Sequence, residues 1–187
     1  MKRIVIFASG SGSNAENLIK FFQDSKKASV TQVLTNNPTA KVIDRCNTLG
    51  VSCLSFNRTA LIKTDDVLNI LKASHPDLIV LAGFLWKFPD KILEAFPDRV
   101  INIHPALLPK FGGKGMYGMH VHESVVANKE TKTGITIHYV NENYDEGAII
   151  FQASCPVSSK DTPKSVANKI HKLEMEHFPK IVAELIK

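Results

Sequence analysis

The sequence has few cysteines and no long apolar run, and both absences restrict what the protein can be. Three cysteines, Cys46, Cys53 and Cys155, form no CxxC pair among the 187 residues, so we expect free thiols rather than a disulfide framework or a cysteine metal site. No apolar run reaches the roughly 18–20 residues of a membrane span. Only five apolar residues follow the basic start, which is too few for a signal peptide. We therefore expect a cytoplasmic protein that does not contact a membrane.

The sequence also lacks a basic cluster. Its formal net charge is +5, but the lysines and arginines are spread along the chain without interleaved aromatic residues, so no nucleic-acid partner is expected. A moderately basic enzyme for small anionic substrates fits this charge as well. With 44% hydrophobic and 22% charged residues, no repeat and no linker, the chain is typical of one globular domain over residues 1–187. Both a monomer and a homodimer remain open.

Short β-rich runs alternate with helical patterns through the first half of the chain, which predicts an α/β fold with a parallel sheet. Two later strands around a polar loop predict an antiparallel extension, and a long C-terminal helical pattern follows, with Thr162 as its cap and Pro163 in its first turn. We expect a single-domain Rossmann-like open sheet. The predicted strands are 2–8, 30–34, 51–56, 78–82, 100–104, 135–140 and 148–153, and the predicted helices lie around 18–22 and over 40–49, 62–73, 91–96 and 162–186.

The predicted strand 100–104 carries two polar residues at its end. Asn102 and His104 are two positions apart, so their side chains point to the same face. An amide there can donate a hydrogen bond to a developing oxyanion, and an imidazole can move a proton near pH 7. The alternative is that both are satisfied polar residues at a strand end.

A glycine-rich loop, Gly10-Ser11-Gly12-Ser13-Asn14, lies between the first predicted strand and the first helix. In an open α/β sheet this is where phosphate groups bind, on free amides at a helix start. The loop lacks the third glycine of the dinucleotide fingerprint and the Gly-Lys-Ser/Thr of a P-loop. We expect a phosphate monoester site, and a plain tight turn is the alternative.

A carboxylate partner for the imidazole is expected, because such a partner raises the pKa of the ring and fixes its orientation. Asp145 is the first candidate, and Glu142 and Glu146 compete with it. A metal site is not expected: His120-x-His122 has no third ligand at a recognisable spacing. We expect these two histidines near the rim of the pocket, and His138 to pack beside a strand.

The segment Ala82-Gly83-Phe84-Leu85-Trp86-Lys87-Phe88-Pro89 follows the most apolar strand. Apolar side chains at the carboxyl end of a central strand can line a slot for a flat heteroaromatic ligand. The alternative is a loop that caps the core.

Three motifs together resemble one family, the phosphoribosylglycinamide formyltransferases, which are folate-dependent enzymes of purine synthesis. The motifs occur in the family's order and cover nearly the whole chain. They are Ser9-Gly10-Ser11-Gly12-Ser13-Asn14, Ala82-Gly83-Phe84, and Asn102-Ile103-His104-Pro105 with Leu107-Leu108-Pro109, and Asp145-Glu146-Gly147 follows at the expected distance.

The resemblance implies transfer of a formyl group from 10-formyltetrahydrofolate, a co-substrate, to the amine of glycinamide ribonucleotide, with no metal. It implies that Asn102 stabilises the tetrahedral oxyanion, that His104 is the proton donor, and that Asp145 pairs with His104 directly or through water. Thr136 stands where a small hydroxyl residue supports the catalytic group.

The same resemblance assigns the two binding regions. Gly12, Ser13 and Asn14 would hold the ribonucleotide phosphate, and Glu174 would contact the ribonucleotide. Leu85, Trp86, Lys87 and Phe88 would line the folate pocket together with Asn102 and the loop of residues 141–145.

Some positions depart from the family pattern. Trp86-Lys87 stands where Met-Arg is common, and Lys63 is only a weak substitute for the arginine near the folate tail. Residues 111–118 are longer and richer in glycine than the usual turn, so we expect a flexible flap over residues 112–118.

Other functions are compatible with parts of this pattern. Methionyl-tRNA formyltransferase and formyltetrahydrofolate hydrolase share the Asn-His-Asp set but carry additional domains, which we do not expect here. A sugar-nucleotide formyltransferase would require a base-recognition site in place of the Gly-Ser-Asn loop. A non-enzymatic module that binds a phosphorylated metabolite would require the glycine loop but not Asn102, His104 and Asp145 together.

Overall fold

The computed structural model describes residues 1–186, which form a seven-stranded sheet with helices on both faces. The strand order is β3-β2-β1-β4-β5-β6-β7. The strands are β1 (Lys2–Phe7), β2 (Ala28–Thr35), β3 (Ser52–Ser55), β4 (Leu78–Leu81), β5 (Val100–His104), β6 (Lys132–Tyr139) and β7 (Ile149–Pro156). The helices are α1 (Ser13–Ser25), α2 (Val42–Leu49), α3 (Asp66–Ser74), α4 (Asp90–Ala95), α5 (Met119–Ala127) and α6 (Pro163–Leu185).

The pairing of the strands confirms the predicted architecture. Strands β1 to β5 pair in parallel, and β6 and β7 extend the sheet in antiparallel orientation. The chain leaves β1 toward β2 and β3 and then crosses back to β4 on the other side of β1. Open α/β sheets bind ligands at such a reversal, at the carboxyl ends of the strands.

The two faces of the sheet bury separate apolar cores. On β1, Ile4 and Ile6 face the core under α1, α2 and α6, whereas Val5 and Phe7 face the core under α3 and α4. Because side chains alternate along a strand, a central parallel strand must be apolar on both faces. Within residues 1–186, no helix is both long enough and apolar enough to cross a membrane.

The predicted helix over residues 62–73 is wrong in one respect, because the structure divides it. A single π-type turn covers Thr59–Lys63, Thr64 is extended, and α3 begins at Asp66. The Thr64 hydroxyl donates to Asp66 Oδ2 at 2.6 Å. Short polar side chains that bond locally in this way compete with helical backbone bonds and favour helix ends.

Helix α5 was not predicted. It is only nine residues long and follows the glycine-rich segment at Gly118. Its apolar face consists of little more than Val121 and Val125, both fully buried. This pair at positions i and i+4 is the only periodic signal, and it is too short to distinguish a helix from a loop.

The predicted start of α6 is confirmed. Thr162 caps the helix by accepting a hydrogen bond from the Ser165 amide at 3.2 Å, and Ser165 Oγ accepts from the Thr162 amide at 2.9 Å. The two residues thus satisfy two backbone donors that the first turn leaves free. This cap fixes where the helix that carries Glu174 begins.

The Thr162 cap generates a stability prediction. Thr162→Ala removes the acceptor for the Ser165 amide, and we expect the free energy of unfolding to fall by about 1 kcal/mol in urea denaturation. Thr162→Ser keeps the hydroxyl and is the control, expected to stay close to the wild type. Equal stabilities for the alanine variant and the wild type would contradict the capping role.

Candidate active site

Most of the predicted site residues lie around one cavity at the carboxyl edge of the sheet. The Gly10–Asn14 loop follows β1, Gly83 and Leu85 follow β4, and Asn102 and His104 end β5. The first two loops are joined, because the Ser9 amide donates to Gly83 O at 3.1 Å and the Leu85 amide donates to Ser9 Oγ at 3.0 Å. The cavity has a volume of about 630 Å³. Its other walls come from Asp145, from α6 and from the glycine-rich segment before α5.

Asn102 and His104 share a face of β5, as predicted, and β6 pairs with them. Asn102 lies opposite His138 and His104 opposite Thr136. Asn102 Nδ2 lies 3.1 Å from His138 Nε2, and His138 Nδ1 lies 2.8 Å from Tyr139 O. Since a carbonyl oxygen can only accept, His138 Nδ1 carries a proton, and Nε2 is the acceptor for the Asn102 amide.

His104 is 3% exposed and both of its ring nitrogens face protein atoms. Nε2 donates to the Phe111 carbonyl oxygen at 2.7 Å. Nδ1 lies 3.5 Å from Asp145 Oδ2. The ring is therefore held between a carbonyl and a carboxylate, and both favour its charged form.

Asp145 adopts a left-handed backbone conformation, with φ of 58°, in the loop between β6 and β7. Its Oδ2 accepts a hydrogen bond from the Gly113 amide at 2.9 Å, and its Oδ1 lies 3.6 Å from His138 Nε2. One carboxylate thus faces two imidazoles and one backbone donor. Among the three acids considered in this loop, Asp145 is the one placed beside His104.

Opposing effects determine the charge of the His104–Asp145 pair. Burial lowers the pKa of His104, whereas the Asp145 charge and the Phe111 carbonyl raise it, and burial dominates. Burial also raises the pKa of Asp145. The neighbouring His138 ring, the charge of His104 and the Gly113 amide together outweigh it, so the net pKa is lowered. Asp145 is therefore a carboxylate at neutral pH.

The glycine loop leads directly into the start of α1, where the backbone can come close to a ligand. Gly12 has φ of 72°, and a Cβ there would lie 2.4 Å from Val42 Cγ2, so close approach to α2 requires glycine. No side chain caps α1, so its first amides remain available to a ligand. Arg45 Nε holds the loop by donating to Ser11 O at 2.8 Å.

Asn14 and Glu174 meet on the wall of the same cavity. Asn14 Nδ2 donates to Glu174 Oε2 at 3.1 Å, and His171 Nδ1 lies 3.6 Å from the same oxygen. Burial raises the pKa of Glu174, and the Asn14 amide and His171 oppose that effect. Asn14 Oδ1 is buried without a hydrogen-bond partner among the described residues.

The segment predicted to bind the heteroaromatic ligand divides between two cavities. Leu85 is 47% exposed and faces the large cavity. Trp86, Lys87 and Phe88 line a smaller cavity of about 70 Å³, which also reaches Asn102. Phe88 is only 3% exposed and packs edge-on against Phe7, so most of its surface belongs to the core.

Sequence reasoning missed the partners of His138. His138 does pack beside a strand, as predicted, since it lies buried on β6 opposite β5, but the placement of its ring between Asn102 and Asp145 was not predicted. The sequence does contain one signal for this placement. Thr136 and His138 are two positions apart on one strand, as Asn102 and His104 are on the neighbouring strand, so the two pairs can face each other.

His120 and His122 agree only in part with the prediction that both lie near the rim of the pocket. His122 is buried and lines the large cavity, whereas His120 is exposed beside Glu123. Arg58 lies 5.9 Å from the centre of the Trp86 ring. Within residues 1–186, no three histidine, cysteine or acidic side chains are arranged to hold a metal ion.

Comparisons with known proteins agree with this geometry. The formyl transferase family model matches residues 2–182. Phosphoribosylglycinamide formyltransferase of Bacillus subtilis is 33% identical over 193 residues, covering all of this chain and 95% of the relative. The chloroplastic enzyme of the same name from Arabidopsis thaliana is 36% identical over 196 residues, covering all of this chain and 67% of the relative.

Solved structures similar to this chain carry the same enzyme names as its sequence relatives. Glycinamide ribonucleotide transformylase 1 from Geobacillus kaustophilus superposes with a TM-score of 0.91 at 30% identity over the full length of both chains. Phosphoribosylglycinamide formyltransferase from Bacillus halodurans superposes with a TM-score of 0.88 at 33% identity, covering all of this chain and 96% of that one. The chain belongs to the formyl transferase family.

Proposed function

We propose that the protein transfers a formyl group from 10-formyltetrahydrofolate to the amine of glycinamide ribonucleotide, a reaction of purine biosynthesis. The observation that carries the proposal is the meeting of Asn102, His104 and Asp145 on a cavity that also contains the Gly12–Asn14 cradle. An oxyanion donor, a proton route and a phosphate site are the parts this reaction needs. Relatives across plants and bacteria carry the corresponding enzyme name.

Asn102 is suited to stabilise the tetrahedral intermediate. The amine attacks the formyl carbon, and negative charge develops on the formyl oxygen. A side-chain amide has two N–H donors; one of them bonds His138 Nε2, which leaves the other for the oxyanion. The intermediate collapses when the carbon–nitrogen bond to the folate breaks.

His104 and Asp145 supply the proton route. The attacking amine must lose a proton, and the departing folate nitrogen must gain one. Asp145 favours the charged form of His104, and a charged ring beside the oxyanion stabilises it further. Since His104 Nε2 is occupied by Phe111 O, the proton leaves and returns on the Nδ1 side, with a water as the relay.

The walls of the two cavities support the binding assignments. The amides of Gly12, Ser13 and Asn14 would bind the phosphate of the ribonucleotide, and Glu174 would bind its polar groups across the cavity. The folate would lie against Leu85, Trp86, Lys87 and Phe88 and reach Asn102 with its formyl group.

We further propose that residues 1–187 act as a single domain, as a monomer or homodimer in the cytoplasm, with no nucleic-acid partner. The flap over residues 112–118 stays a prediction. Three of its glycines have positive φ, and the segment lines the cavity.

The function is tested by following formyl transfer to glycinamide ribonucleotide with the Asn102→Ala variant. Removing one oxyanion donor is expected to lower the turnover number by about 10²–10³-fold. Asn47→Ala changes an exposed asparagine on α2 and serves as the control, expected to match the wild type. A wild-type chain that forms no formylated product, or an Asn102→Ala variant with full turnover, would contradict the proposal.

The role assigned to Asp145 makes a prediction about the pKa of His104. Because the Asp145 charge raises that pKa, Asp145→Asn should lower it. The activity that depends on protonated His104 should then be lost at a lower pH than in the wild type. NMR titration of the His104 ring measures the shift, and Glu146→Gln, which removes the neighbouring exposed carboxylate, is the control. An unchanged His104 pKa in Asp145→Asn would rule out the pairing.

The phosphate cradle makes a prediction about substrate binding. Gly12→Ala places a Cβ against Val42 in a left-handed conformation, so the loop must move or remain strained. We expect the dissociation constant for glycinamide ribonucleotide, measured by calorimetry, to rise about tenfold or more. Gly10→Ala meets no atom within 4 Å and has no positive φ, so its effect should be much smaller. Equal effects of the two substitutions would argue against the cradle.

A further inference from the structure

A buried hydroxyl anchors the chain segment that follows His104. Thr136 Oγ1 donates to Ala106 O at 2.7 Å and accepts from the Leu108 amide at 3.0 Å. It also accepts from Gln152 Nε2 at 2.9 Å. One donor and two acceptor positions are all that a hydroxyl offers, so this hydroxyl is fully used.

Gln152 completes the anchor from the neighbouring strand. It lies opposite Thr136 in the β6–β7 pair. The second N–H of its amide donates to Leu108 O at 3.1 Å. Gln152 is otherwise exposed, so its side-chain amide connects the outer strand of the sheet to the turn beside the site.

The anchored segment leads directly to the groups that hold both titratable residues. Three residues beyond Leu108, the Phe111 carbonyl accepts from His104 Nε2, and the Gly113 amide donates to Asp145. Gly112 lies between them, where a Cβ would meet Leu108 Cδ2 at 2.5 Å and Asp145 Cβ at 3.2 Å. A shift of Leu108 would therefore move the hydrogen-bond partners of His104 and Asp145 together.

We propose that Gln152 is a positioning residue for the formyl-transfer site, acting through Thr136 and Leu108 to hold the Phe111 carbonyl against His104 Nε2. This contact keeps the proton of the neutral ring on Nε2 and leaves Nδ1 free to exchange a proton on the Asp145 side. The activity consequence rests on the proposed function, whereas the effect on the His104 tautomer does not.

The kinetic test uses two substitutions of Gln152 in the full chain. Gln152→Met keeps the length and removes both N–H donors. Gln152→Glu also places a carboxylate against the Leu108 carbonyl. We expect the turnover number to fall about threefold to tenfold in Gln152→Met and further in Gln152→Glu, with the KM for glycinamide ribonucleotide unchanged. Ser154→Ala, on the same strand two residues away and also exposed, is the control and should match the wild type.

The structural readout is the ring of His104 in 15N-histidine NMR spectra. At pH 8 the wild type should show the proton on Nε2, whereas Gln152→Met should show a mixture of both tautomers. The His104 pKa should also fall, because the Phe111 carbonyl raises it. Asp145, His138 and His122 also face this ring, and all three are unchanged in the variant.

The outcomes separate the positioning role from other possibilities. Turnover and tautomer in Gln152→Met that match the Ser154→Ala control overturn the inference. So does a rise in KM alone, because that would place Gln152 in substrate binding. If the wild type forms no formylated ribonucleotide, the proposed function fails, and the tautomer comparison still decides the role of Gln152.

Discussion

The site depends on the joint burial of an imidazole and a carboxylate, His104 and Asp145. Neither could be buried alone in charged form without a large loss of stability. Each is compensated by the other and by one backbone group, the Phe111 carbonyl for the ring and the Gly113 amide for the carboxylate. A single short segment thus supplies one hydrogen-bond partner to each member of the pair.

The sheet topology explains why distant parts of the chain reach this pair. The reversal of strand order between β1 and β4 opens a crevice at the carboxyl ends of both strands. The glycine loop enters this crevice from β1, and Asn102 and His104 enter it from β5. The antiparallel strand β6 then adds Thr136 and His138 beside them. The parallel part of the fold thus contributes the glycine loop, and the antiparallel part contributes side chains that hydrogen-bond to Asn102 and to the turn after His104.

Much of the fold could be predicted because its signals are local. Continuous apolar runs such as residues 78–82 indicate buried parallel strands, and Thr162-Pro163 indicates a helix start. The predictions that were wrong or absent concern places where local signals conflict or are short. Thr64 interrupts an apolar helical pattern with its own hydrogen bonds, and α5 presents only Val121 and Val125 as a periodic pair. The partners of His138 were not predicted because one lies on β5, which is distant in sequence, and the other in a loop whose folded position has no local signal.

The sequence alone determined the alternation of strands and helices, the shared face of Asn102 and His104, and the glycine loop after β1, since each depends on neighbouring residues and on strand or turn geometry. The sequence ranked Asp145 ahead of Glu142 and Glu146 only by family resemblance, and the tertiary structure alone shows which of these carboxylates lies beside His104. The tautomers of His104 and His138 were likewise decided only by the tertiary structure. Carbonyl groups from Phe111 and Tyr139 hold one N–H of each ring, and a backbone carbonyl carries no signal in the amino-acid sequence.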